Sequence, residues 1–147
     1  MIGAEEIRRA LERASLLADR LAREAPFPDT DTLVQRARAI LDDMTVGERI
    51  AVLDAHPRVG ADPRTLSEAS RREQEGDADA AMLRELSELN DEYERRYGFR
   101  FVVFVAGRSK AEIVPVLRGR LGRSREDELL TGTGELLAIA RDRLARL

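Results

Sequence analysis

One stretch of this chain, Phe99-Arg100-Phe101-Val102-Val103-Phe104-Val105, has the aromatic and β-branched composition of a strand, and it has no obvious partner strand. A solitary strand cannot satisfy its own main-chain N–H and C=O groups. The run is therefore expected to be an extended segment, or an aromatic-rich helix start, packed inside a helical protein. The rest of the chain must then be helical, and its apolar residues do recur at three- and four-residue intervals. Ile7, Leu11, Ala14, Ala18 and Leu21 form one stripe ending before Pro26 and Pro28, which predicts a single amphipathic first helix and a rigid loop.

Asp29, Thr30 and Asp31 offer N-caps for a helix carrying Leu33, Val34, Ala37, Ile40 and Leu41, and Thr45-Val46-Gly47-Glu48 has capping-box spacing for a short helix through Leu53. Ser67 can cap a helix bearing Ser70, Glu73 and Gln74. A longer helix with Leu83, Leu86, Leu89, Asn90, Tyr93 and Tyr97 closes at Gly98 as a left-handed cap. Ser109 and Ser124 open the last two helices, although Gly132-Thr133-Gly134 is a poor middle for a long one. The expectation is an all-α fold, a compact helical bundle forming one domain over residues 1–147.

Composition narrows the chemistry. Lys and Arg number 25 against 28 Asp and Glu, a formal net charge of -3, which disfavours nucleic-acid binding. There is no cysteine, so disulfides, thiolate nucleophiles and cysteine-held metals are excluded. With a single histidine, a zinc site would need an unusual number of carboxylates. No phosphate-binding loop, dinucleotide fingerprint or nucleophile elbow is present. The acidic start Met1-Ile2-Gly3-Ala4-Glu5-Glu6 and the lack of a long apolar stretch predict a cytoplasmic protein without membrane association.

That single histidine, His56, opens the run His56-Pro57-Arg58-Val59-Gly60. Pro57 forbids comfortable helix continuation, so the imidazole is placed at a helix terminus. On the following helix Ser70, Glu73 and Gln74 share one face, because residues three and four apart are neighbours. An imidazole, a hydroxyl, a carboxylate and an amide are enough for cofactor-free acid/base work on a small polar molecule. Each also has a plain structural reading. His56 could cap a helix, Ser70, Glu73 and Gln74 could face water, Arg143 could complement a helix C-terminus, and Phe99, Phe101 and Phe104 could be core.

Taken in order, His56-Pro57-Arg58-Val59-Gly60, Ser70-x-x-Glu73-Gln74, Asn90-x-x-Tyr93, Tyr97-Gly98-Phe99-Arg100-Phe101-Val102-Val103 and Ile139-Ala140-Arg141-Asp142-Arg143-Leu144 resemble the family of 2-oxo-4-hydroxy-4-carboxy-5-ureidoimidazoline (OHCU) decarboxylases. The resemblance implies an all-helical homodimer without metal or organic cofactor that converts OHCU, a small-molecule substrate, to (S)-allantoin in urate breakdown. It implies that His56 is the catalytic acid with Glu73 as its companion. Substrate binding falls to Pro57, Ser70, Gln74, Arg143 and the backbone of Phe101, Val102, Val103, Phe104 and Val105.

Two positions depart from the family pattern, with Arg100 where a proline is usual and Val59 where a leucine is usual. Arg100 is expected either to loosen its segment or to point outward. Two other readings remain open at this level: an enzyme of the same fold acting on a related ureido or hydantoin acid, and a non-catalytic helical module. The second requires that His56, Glu73 and Arg143 do not converge in space.

Overall fold

Short polar side chains set where the helices begin. In the computed structural model, which describes residues 1–11, 16–61 and 80–147, Asp29 accepts a 2.7 Å hydrogen bond from the Thr32 N–H and opens a helix over Thr30–Asp43. Thr45 and Glu48 form a reciprocal capping box before Val46–Asp54, and Ser109 and Glu112 do the same before Lys110–Arg120. Ser124 accepts from the Asp127 N–H and starts Arg125–Ala145.

Seven helices lie within the described residues: α1 (Ala4–Ala10), α2 (Leu16–Glu24), α3 (Thr30–Asp43), α4 (Val46–Asp54), α5 (Ala80–Tyr97), α6 (Lys110–Arg120) and α7 (Arg125–Ala145). The proposed cap Ser67 and the helix face of Ser70, Glu73 and Gln74 lie outside the described residues, as does Ala14.

The single first helix expected from the Ile7 to Leu21 stripe is instead two. Leu11 leaves helical geometry at φ -113 and ψ 114, and α2 packs back against α1. Breaking there lets Ile7, Ala10 and Leu11 be buried together with Leu17, Ala18 and Leu21, with Arg8 reaching Asp19 at 2.6 Å across the pair. A straight helix could bury only one continuous stripe.

Helix α7 is the element the others gather around, packing on α1, α3 and α4, while α2 bridges α1, α3 and α4, and α5 pairs with α6. It runs unbroken from its Ser124 cap, as expected, even through the poor helix formers Gly132-Thr133-Gly134. Gly132 lies against Leu53 of α4 so closely that a Cβ there would sit 3.1 Å from Leu53 Cδ1. The missing side chain is what lets the two helices approach.

The run at 99–105 belongs to no strand ladder and is irregular, extended chain, with Phe99, Phe101, Val102, Val103 and Val105 buried. Gly98, at φ 79, ends α5 in the left-handed region and turns the chain into this segment. Tyr93, Tyr97, Phe99 and Phe101 then pack ring against ring, with Tyr93 and Phe101 centroids 5.3 Å apart in an edge-on arrangement.

Candidate active site

The end of α4 delivers His56. Its N–H donates to the Leu53 carbonyl at 3.0 Å, closing the last turn, and the side chain is buried. The loop that follows is held along its length. Arg58 donates through Nε to Glu94 at 2.6 Å and through Nη2 to Asp91 at 2.7 Å, both on α5. Asn90 Nδ2 donates to the Val59 carbonyl at 3.2 Å. Gly60, at φ 86, turns the chain beside Leu86 where a side chain would be strained.

Arg143 comes from the last turns of α7 and is only 4% exposed, so it is not a solvated charge at a helix end. Its Nη1 lies 3.5 Å from the Ala10 carbonyl at the C-terminus of α1, the break created by the divided first helix.

The extended segment supplies a wall, and a buried ion cluster fixes it. Glu128 is fully buried and accepts from Arg120 Nε at 2.7 Å, from Arg123 Nη1 at 2.8 Å and from the Tyr93 hydroxyl at 2.6 Å. Burial, reinforced by the Glu128 carboxylate, drives the Tyr93 hydroxyl to a pKa far above its ordinary value, so it remains a donor. Arg120 also donates to the Val102 carbonyl at 2.7 Å and lies 4.6 Å from the centre of the Phe101 ring.

At the far end Arg108 donates to the Phe104 and Val105 carbonyls, at 2.6 and 2.9 Å, across the turn of Ala106 and Gly107. The Phe104 N–H lies 3.4 Å from Glu135. The N–H groups of Val103 and Val105 find no acceptor among the described residues. Three carbonyls of the wall are thus engaged by arginines, while the N–H groups of Phe101 and Val102 likewise find no acceptor among the described residues, leaving four of its five main-chain donors available to a ligand.

Arg100 does not point outward. Its N–H donates to Asp54 Oδ1 at 2.9 Å, and its Nη1 donates to the His56 carbonyl at 2.6 Å.

These parts border one narrow cleft, lined by His56, Pro57, Val59, Phe101, Val102, Val103, Phe104, Val105, Ile139 and Arg143. A cation and an imidazole sharing a mostly apolar hollow with main-chain donors suit a small anion rich in amide groups. The cleft joins chain segments from α4, the extended wall and α7 that are remote in sequence. An OHCU decarboxylase family model matches residues 4–145.

The chain belongs to the OHCU decarboxylase family. An OHCU decarboxylase of Mus musculus is 30% identical over 146 residues, covering 93% of this chain and 81% of the mouse protein. One from Halalkalicoccus jeotgali is 28% identical over 139 residues, covering 92% and 79%. The uric acid degradation bifunctional protein PucL of Bacillus subtilis is 33% identical over 138 residues, but this chain, 91% of which is covered, spans only 28% of that protein's length. A crystal structure of OHCU decarboxylase in the presence of (S)-allantoin superposes with a TM-score of 0.72 at 27% identity, covering 90% of both chains.

Of the residues that the family resemblance assigned, His56, Pro57, Arg143 and the whole run from Phe101 to Val105 line the same cleft. Ser70, Glu73 and Gln74 lie outside the described residues. Val59 and Ile139 also line it without having been assigned there. Ile139 was within reach of helical spacing, since it lies one turn before Arg143. The Arg120 and Glu128 cluster had no sequence signal, because charged residues at helical spacing ordinarily read as a solvated face.

Proposed function

We propose that this protein decarboxylates OHCU to (S)-allantoin in urate degradation, as a single domain over residues 1–147. The observation that carries this reading is the meeting of His56, Arg143 and the Phe101 to Val105 main chain in one cleft. The reaction suits those groups. Breaking the C4–CO2 bond releases an electron pair that forms C4=C5, while the ring C5=N pair moves onto nitrogen. The C4 hydroxyl then gives up its proton as the carbonyl forms, that ring nitrogen takes a proton up, and C5 takes a proton on one face. The ring imine is the electron sink, so no organic cofactor or metal is invoked.

In this reading Arg143 holds the substrate carboxylate or a carbonyl with its planar fork. The apolar flank of Val59, Val103 and Ile139 keeps water from the departing carboxylate. The N–H groups of Val103 and Val105 grip a ring or ureido carbonyl, and His56 delivers the proton to C5. Glu73 favours the protonated imidazole, and Ser70 and Gln74 read the ureido group. The protein works as a cytoplasmic homodimer, for which light scattering in solution is the direct check.

The decisive experiment generates OHCU in situ with urate oxidase and hydroxyisourate hydrolase and follows the circular dichroism of (S)-allantoin. Rapid growth of that signal, lost in His56→Ala, is the expected result. A slow, racemic product identical to the protein-free control would sink the assignment.

A further inference from the structure

We propose that Arg100 is a positioning residue that holds His56 in the orientation needed for proton delivery, an inference that rests on the reading of His56 as proton donor. Three bonds join the turn at His56 to the start of the extended wall. The Arg100 N–H donates to Asp54 Oδ1 at 2.9 Å, and Arg100 Nη1 donates to the His56 carbonyl at 2.6 Å and to the Asp54 carbonyl at 3.4 Å. The bond to His56 is short and charge-assisted, and it reaches the main chain of the residue whose side chain lines the cleft.

Fixing that carbonyl restrains the backbone of His56 on its C-terminal side, and with it the direction of the imidazole. Pro57 restrains the other torsion partner of the same peptide unit. Because Arg100 sits one residue before Phe101, the clamp also sets the distance between the imidazole and the wall that faces it. Arg58, Asn90 and Pro57 hold the loop after His56, and Arg100 through its bonds to Asp54 also holds the turn before it.

The clamp also carries a cost. Arg100 Nε is buried and finds no hydrogen-bond acceptor among the described residues. A side chain serving only to stabilise the segment gains nothing from leaving a donor dry. The arrangement makes sense when reaching the His56 carbonyl is what matters.

The test uses the fact that the chain has one histidine, so the carbon-bound protons of its imidazole give one assignable set of NMR correlations. Arg100→Met keeps the apolar stem and removes the donors. It is expected to lower kcat about 10- to 100-fold with KM changed less than about twofold, as suits a misaimed proton donor. The imidazole correlations should shift or broaden at fixed pH while the thermal midpoint and far-ultraviolet dichroism stay near wild type. Arg100→Lys, whose ammonium can still donate to a carbonyl, should recover most of both effects.

Wild-type kcat in Arg100→Met overturns the proposal, and so does a lowered kcat with unmoved imidazole correlations. A fully active His56→Ala variant would instead remove the proton-donor reading, and this inference with it. Loss of activity in His56→Ala together with a silent Arg100→Met removes this inference alone.

Discussion

His56 and Arg143 are ionisable or charged side chains taken out of water, at 6% and 4% exposure, on the rim of the same hollow. Keeping such groups buried is expensive unless their surroundings or a ligand compensate them, which makes both more informative than any exposed charge in the chain. His56→Ala is expected to abolish formation of (S)-allantoin while the dichroism of the fold is retained. Arg143→Ala should chiefly raise KM, by about 10- to 100-fold for one charge-assisted contact, and steady-state kinetics would separate the two effects. An Arg143→Ala enzyme with unchanged KM would place the substrate anion elsewhere. At this scale the motif was legible because proline after the lone histidine fixed it to a helix end. What Arg100 does was not legible, since reach to a main-chain carbonyl across the fold leaves no pattern in spacing.

Among the elements, helix starts were read correctly at Asp29, Thr45, Ser109 and Ser124 because a cap is a local hydrogen bond between neighbours in sequence. The break between α1 and α2 was not, since it answers to packing and not to local propensity. The long α7 was expected from its Ser124 cap, although its glycines looked like defects. Those glycines differ, and the difference is testable. A Cβ at Gly134 would meet nothing within 4 Å, so Gly134→Ala should stabilise by about 0.5–1 kcal/mol through helix propensity alone. Gly132→Ala must push Leu53, which is fully buried, and should show a smaller gain or a loss by urea denaturation.

The cap at α3 adds an acid limb to the stability profile. The Thr32 N–H holds the Asp29 carboxyl below its ordinary pKa of 3.8, so its contribution is full above that value and is lost as pH falls through the lower folded value. Asp29→Asn caps without ionising and should flatten that part of the urea midpoint against pH between about 5 and 2.

For the molecule as a whole, the buried Glu128 cluster joins α5, α6 and α7 to the wall of the cleft. Glu128→Ala would leave Arg120 charged and buried without its carboxylate, and should cost about 3–5 kcal/mol by urea unfolding. Arg120→Met combined with Glu128→Leu should recover much of that stability but not turnover, because the Val102 carbonyl loses its tether. Equal turnover in the double variant would show that the wall stands without it. The all-helical architecture followed from the absence of a second strand-like run, whereas this cluster depends on three segments meeting and only the folded chain reveals it.

The same wall is buried, yet the amides of Val103 and Val105 are not locked into any helix or ladder. In deuterium oxide these two should exchange faster than equally buried amides of α7, because opening them breaks no hydrogen bond among the described residues. Saturating (S)-allantoin should slow them ahead of every other position, turning two isotope-exchange rates into a readout of cleft occupancy that needs no turnover.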